Sequence, residues 1–353
     1  MTTRARDDID LMPGYHSPQL DVDVRLNTNE SPFAPPPAFT TALCNAIDRL
    51  DLHRYPDRGA TALRDALARH HGVTRDQVFA ANGSNEVLQI LLLAYAGPDR
   101  NAVVFEPTYA LHSHIARLTG SGVVIGERGA DFALDANTTV AFASAASPAV
   151  TFLCSPNNPT GGAERPEVIR AVAAAVQGLV VVDEAYGQFA PTSAIGEVRD
   201  GGNVVVVRTF SKTWALAGLR LGYAIAPTDV VVTLEKVALP YHLDAIKQAA
   251  GVLALDFDAD MRARVATLVE ERGRMLEALR ALDVDVWPSD ANFVLFRPRM
   301  HDGSGVWESL VERSVLVRNC TSWPGLDGCL RVSIGTRGEN ERFLEALTET
   351  LAQ

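Results

Sequence analysis

The 353-residue chain has no apolar run long enough to span a bilayer, which takes about 18 residues or more. Positive charge is in deficit: 32 Lys and Arg face 43 Asp and Glu, a net charge of −11. Binding nucleic acid requires a basic face that neutralises phosphates, so that class is excluded. A small anionic ligand needs only a few local cations and stays open. Cysteine is scarce: Cys44, Cys154, Cys320 and Cys329 show no CxxC spacing and read as buried thiols rather than disulfides or a metal site. Neither GxGxxG nor GxxxxGK[ST] occurs, so dinucleotide and P-loop nucleotide readings lack their phosphate-binding turns. The first residues carry acids where a signal peptide needs an apolar stretch, and a cytoplasmic protein is expected.

What is present suits a folded chain with a sizeable core: 47% hydrophobic and 21% charged residues. Residues 1–37 read as an extended arm, closed by Pro32, Pro35, Pro36 and Pro37, with a helix starting near Ala38. From there to about residue 250, short apolar strands alternate with amphipathic helices. The strands fall at 77–81, 102–105, 123–125, 150–154, 179–183, 203–207 and 221–225. Unbroken runs such as Val180-Val181-Val182 suit strands buried on both faces, hence an α/β fold with a largely parallel sheet flanked by helices. A long helix is expected at 260–282, where Leu268, Met275 and Leu279 keep a helical stripe. Strands at 293–296, 315–317 and 329–333 with helices at 305–313 and 337–352 suggest a smaller α+β domain. The expected division is 1–37 for the arm and part of the small domain, 38–255 for the large domain and 256–353 for the C-terminal small domain. The small-residue stretch 141–149 reads as a loop or weak helix.

Four segments carry chemistry. Thr209-Phe210-Ser211-Lys212 follows an apolar strand, where desolvation and nearby cations lower a lysine's pKa and free its amine for Schiff-base chemistry. Ser211 can donate to a phosphate, and Arg220, eight residues beyond Lys212, can return to the same group as a permanently charged fork. A surface Lys and Arg flanking a helix is the plainer reading of those letters. Asp183 ends a buried strand, the usual place for ligand groups in an open α/β sheet, and can hold a pyridinium nitrogen protonated. It can equally cap the next helix. Tyr186, three residues on, can reach a neighbouring phenolic oxygen. Ser155-Pro156-Asn157-Asn158-Pro159-Thr160-Gly161 forms a stiff turn from which Asn158 can present its amide. Asn82-Gly83-Ser84-Asn85-Glu86 joins a strand to an apolar helix whose N-terminus, with Ser84 and Asn85, makes an anion site; the same letters also read as an N-cap. His112 and His114, two apart on an expected helix, do not share a face, so no metal site is expected.

Together these segments resemble the fold-type-I, pyridoxal-phosphate-dependent aminotransferases of class I/II, and more closely the histidinol-phosphate aminotransferase family. The resemblance runs from Leu26-Asn27-Thr28-Asn29-Glu30-Ser31-Pro32 to Leu330-Arg331-Val332-Ser333-Ile334-Gly335-Thr336. It implies a mainly parallel seven-stranded sheet in the large domain and pyridoxal 5'-phosphate as cofactor. It implies Lys212 as the Schiff-base lysine and proton shuttle, Asp183 on the ring nitrogen, and Asn158 and Tyr186 on the ring oxygen. Tyr109 would stack on the ring, and Ser84, Asn85, Ser211 and Arg220 would hold the phosphate. Tyr55 would reach the phosphate of a partner subunit, making the active unit a homodimer. Arg331 would take the substrate carboxylate, with Arg318 near a substrate phosphate and Tyr241 near the substrate. Asn292 reads as structural. The expected reaction passes an amino group from glutamate to a phosphorylated or aromatic oxo substrate, as in L-histidine biosynthesis. The stretch from Arg318 to Gly325 also resembles threonine-phosphate decarboxylases, which keeps a decarboxylase or lyase as the alternative. Tyr15 stands in a segment that departs from the family order, which leaves its role open. Asp244 departs too: in the pocket it would disfavour a phosphorylated substrate, and as a helix cap, the favoured reading, it says nothing of substrate.

Overall fold

Strand β1 (Val24–Leu26) belongs to a small sheet, and the next seven strands build a large one. These are β2 (Val78–Ala81), β3 (Asn101–Glu106), β4 (Gly122–Glu127), β5 (Val150–Cys154), β6 (Leu179–Asp183), β7 (Val204–Thr209) and β8 (Gly222–Ile225). Their order is β2-β8-β7-β6-β5-β3-β4. The computed structural model describes residues 18–353 together with Thr3, Ile9 and Gly14. Tyr15 lies outside the described residues.

Strands β5, β6 and β7 are buried at every position, as their apolar runs require. Side-chain alternation then divides the core. Val181, Val205 and Val207 face one helix layer, which includes Ser84–Tyr95 and Thr228–Val237. Val180, Val182, Val204 and Val206 face the other, which includes Ala136–Ala146 and Pro166–Ala175. Neighbours from β4 through β7 run parallel, while β8 is antiparallel to both β7 and β2. The reason is local: residues 210–221 link β7 to β8 without a crossover helix, so the chain must turn straight back. That turn carries Lys212.

The small sheet has the order β1-β11-β12-β10-β9, with β9 (Val284–Val286), β10 (Phe293–Pro298), β11 (Val315–Asn319) and β12 (Leu330–Ser333). The helix Asp258–Arg280 lays Leu268, Met275 and Leu279 on its core, joined by Phe343 and Leu347 of the helix Arg337–Leu351. The arm enters the small sheet: β1 pairs in parallel with β11, Val24 opposite Val315, which carries Asn27 to Glu30 across the molecule. The stretch 141–149 is mostly the helix Ala136–Ala146, set by Asp135, whose carboxylate accepts from Asn137 N and Thr138 N at 3.1 and 3.0 Å. Of the four thiols, Cys44 is exposed rather than buried, at the polar face of the helix Pro37–Ile47.

Candidate active site

The parity that divides the core also places the site. Asp183 closes β6 on the same side as Val181 and is 2% exposed. There its Oδ2 lies 2.9 Å from His112 Nε2, and its Oδ1 accepts from Ala185 N at 3.1 Å. His112 comes from the helix Leu111–Leu118 and stacks flat on Phe152, centroids 4.6 Å apart and planes within 4°. With Asp183 as acceptor, Nε2 carries the proton, and Nδ1 is buried without a partner. The sequence offers His112 only as a candidate metal ligand. Its usable signal is its position three residues after Tyr109, whose ring it meets edge-on at 5.4 Å.

Lys212 Nζ donates to Thr28 O at 3.0 Å, so the arm lies over the amine. Burial lowers its pKa to about 8; Arg331 and Arg220 act in the same direction, and Glu30 opposes them. The sign of the linkage follows. Between about 8 and the ordinary 10.5 the unfolded chain binds a proton that the folded chain does not, so folding stability rises with pH there. Denaturant unfolding of the cofactor-free protein at about pH 8 and about pH 10 should show wild type gaining on Lys212→Ala across that window. A parallel course for the two proteins would refute the depressed amine.

One end of the cavity is an anion cradle. Gly83, at φ 85°, opens the helix Ser84–Tyr95, so the first N–H groups of that helix, from Ser84 and Asn85 onward, are left without intrahelical acceptors. Gly222 must lack a side chain: a Cβ there would sit 2.3 Å from Ser84 N. Arg220 closes the cradle, its Nη1 donating to Ser211 Oγ at 3.2 Å, and a Cβ on Gly83 would meet Nη2 at 2.9 Å. Tyr109 lines the cavity beside the cradle, its hydroxyl 3.4 Å from Asn85 Oδ1.

The opposite wall is built by the small sheet and the arm. Arg331 is 4% exposed; Nη2 donates to Asn27 O at 2.8 Å and Nη1 to Asn158 Oδ1. Accepting with its oxygen leaves Asn158 its NH2 as a donor. Asn29, at φ 55°, gives Nδ2 to the Tyr186 hydroxyl at 3.0 Å and accepts from Ser333 Oγ at 2.9 Å. Asn292 supports it from below, donating to Asn29 O at 3.2 Å, the structural part read for it. Burial pushes the Tyr186 phenol up to about 12, so it stays a neutral donor. Arg318 stands opposite Arg331 across β11 and β12. Asn29, like His112, was missed from sequence; its signal was an asparagine able to take a left-handed backbone within Asn27-Thr28-Asn29-Glu30.

The cavity so enclosed measures about 360 Å³. It is lined by Ser84, Asn85, Tyr109, Asn158, Asp183, Tyr186, Ser211, Lys212, Arg220, Arg318 and Arg331 among others, so cations outnumber its carboxylates, Asp183 and Glu30. Two expected residues are not brought together with these. Tyr55 and Tyr241 line no part of the cavity within one protomer. They stack on each other at 4.5 Å and 16°, 80% and 42% exposed. The placement of Tyr241 beside the substrate is therefore corrected for the single chain: its left-handed backbone, φ 58°, accompanies a ring turned onto Tyr55. Asp244 is a cap, its Oδ1 accepting from Lys247 N at 2.8 Å at the start of the helix Ala245–Asp256.

The donor set fits pyridoxal phosphate. A buried carboxylate suits a protonated pyridine nitrogen, a phenol and an amide NH2 suit the ring oxygen, and a depressed amine suits the carbonyl. The glycine-walled cradle suits the phosphate. Known proteins agree with this reading. Residues 22–347 match the family described as aminotransferase class I and II. The histidinol-phosphate aminotransferase of Thermobifida fusca is 46% identical over 97% of this chain and 94% of its own. That of Streptomyces avermitilis is 43% identical over 98% and 95%. In structure, histidinol-phosphate aminotransferase from Sinorhizobium meliloti in complex with pyridoxal-5'-phosphate matches with a TM-score of 0.90, covering 100% of this chain and 98% of that one at 24% identity, a likeness of fold. The chain belongs to the class I and II aminotransferases, pyridoxal-phosphate enzymes of fold type I, and is closely related to the histidinol-phosphate aminotransferases.

Proposed function

We propose that this aminotransferase takes an amino group from glutamate and passes it to the oxo partner of histidinol phosphate, in L-histidine biosynthesis. The observation that carries the proposal is the pair Arg318 and Arg331, side by side in one cavity and too many cations for an apolar substrate. The relatives' shared name supports the same choice. Pyridoxal phosphate, when bound, supplies the electron sink that stabilises a carbanion at the substrate carbon. The rest is done by the chain. Asp183, oriented by His112, keeps the ring nitrogen protonated. Tyr186 and Asn158 donate toward the ring oxygen, and Tyr109 covers the ring face. Ser84, Asn85, Ser211 and Arg220 hold the phosphate. Lys212 Nζ, whose pKa burial lowers to about 8, would take and return the proton at the substrate carbon. Arg331 would fork onto the α-carboxylate of glutamate, and Arg318 would meet the side-chain carboxylate of glutamate or the phosphate of histidinol phosphate.

Purified holoenzyme should form glutamate from 2-oxoglutarate in the presence of histidinol phosphate, with kcat/KM at least about tenfold above that for an aromatic amino acid, a margin of about 1.4 kcal/mol. Carbon dioxide release from L-threonine O-3-phosphate, independent of 2-oxoglutarate, would instead mark the decarboxylase that the Arg318–Gly325 letters raise.

The homodimer is part of the proposal. Tyr55 and Tyr241 are an exposed aromatic pair, and their sequence neighbours Leu52 and Leu239 are 61% and 76% exposed. Such surface suits burial against a second copy, from which Tyr55 would reach the partner's phosphate cradle. Light scattering should report a dimer. Tyr55→Phe should keep the dimer and weaken cofactor retention by roughly tenfold, the worth of one hydrogen bond to a charged group. A monomer, or unchanged retention, sinks this part. A cytoplasmic location is also proposed, since the buried thiols Cys154, Cys320 and Cys329 suit a reducing compartment.

A further inference from the structure

Arg318 and Arg331 are directly opposite on antiparallel strands, so both project to one face, where like charges repel. Each guanidinium lies on an aromatic ring. Arg331 sits 5.1 Å from the centroid of Phe293, and Arg318 sits 5.5 Å from that of Trp323. The two supports differ in origin. Phe293 is a fully buried residue of β10. Trp323 comes from the loop between β11 and β12, is half-buried, and itself lines the cavity.

That loop is tied at each turn. Cys320 N donates to Cys329 O at 3.0 Å, Trp323 N to Cys320 O at 2.9 Å, and Leu326 N to Trp323 O at 3.1 Å. Cys320, Leu326 and Cys329 form a small buried cluster against which the indole packs. A ring held by both backbone and packing fixes the place of a cation on its face. Arg331 is already positioned by Asn27 and Asn158 for one end of the substrate.

We infer that Trp323 is a positioning residue that sets Arg318 for the anionic group of the substrate distal to Arg331, the side-chain carboxylate of glutamate or the phosphate of histidinol phosphate. This rests on the aminotransferase reading above. Trp323 touches Arg318 rather than the reacting atoms, so its loss shows in binding of the second anion.

The test is calorimetric titration of the holoenzyme with glutarate, which has two carboxylates, and with pentanoate, which has one. Wild type should bind glutarate more tightly. Trp323→Leu should weaken glutarate about three- to tenfold, the range of a partly desolvated cation–π contact, and leave pentanoate within about twofold. Trp323→Phe should restore most of the glutarate affinity. In an Arg318→Gln background, Trp323→Leu should have no further effect on glutarate. Equal weakening of both ligands, unchanged glutarate binding, or an undiminished effect without Arg318 overturns the inference. Failure of the aminotransferase reading shows separately, as a wild-type holoenzyme whose visible absorbance does not respond to L-glutamate.

Discussion

Lys212→Ala abolishes amino transfer, lowering kcat by at least about 10³-fold, while the folded protein still takes up pyridoxal phosphate. The expectation follows from how the cavity divides its labour. The phosphate cradle of Ser84, Asn85, Ser211 and Arg220 and the Asp183 carboxylate do not depend on the lysine, so cofactor retention should survive. The proton carrier does not survive. Among the described residues no other amine lines the cavity: its remaining cations, Arg220, Arg318 and Arg331, are guanidinium groups. Single-turnover absorbance with L-glutamate checks it. A variant that converts at near wild-type rate would show that another group moves the proton.

Glu184→Gln costs about 3–5 kcal/mol of folding stability, the largest loss expected from any single substitution proposed for this chain. Glu184 follows Asp183 and turns to the other side of the sheet, where it is 2% exposed. Its Oε2 accepts from Arg208 Nε and Nη2 at 3.0 and 2.6 Å and from Ser193 Oγ at 2.8 Å, and its Oε1 accepts from Ala194 N. Arg208 is itself buried on β7, four residues before Lys212, with Tyr223 opposite it on β8. Glutamine keeps the shape and removes the charge, which leaves a guanidinium uncompensated in a low-dielectric core. Urea unfolding at fixed pH measures the loss. Replacing both partners by methionine should cost clearly less than the sum of the single changes, because no charge is then left alone. A loss under about 1 kcal/mol for Glu184→Gln would mean that water reaches the pair.

How far the letters carry depends on distance along the chain. Asp183 and Lys212 are legible because each ends or follows an unbroken apolar strand, and strand ends are where an open α/β sheet holds its ligands. The cradle is legible because Gly83, Ser84 and Asn85 are consecutive. Asn29, His112 and Glu184 are harder. Their roles rest on partners 304, 71 and 24 positions away, and nothing local to an asparagine, a histidine or a glutamate names such a partner. The short strand β1 escapes for the same reason, since three residues show no periodicity and its pairing with β11 closes the length of the chain. Tyr55 and Tyr241 do not line the cavity, and nothing local to either tyrosine says what its exposed ring meets.

The chain has three lysines, Lys212, Lys236 and Lys247. Lys236 lies in the last turn of a surface helix, and Lys247 is engaged by Asp244 and Asn82 at 2.8 and 2.9 Å. Borohydride reduction of the holoenzyme, followed by peptide mass spectrometry, therefore asks one question of three residues. The account predicts a pyridoxyl group on Lys212 alone. A label on Lys236 or Lys247, or no label on any lysine, would contradict it.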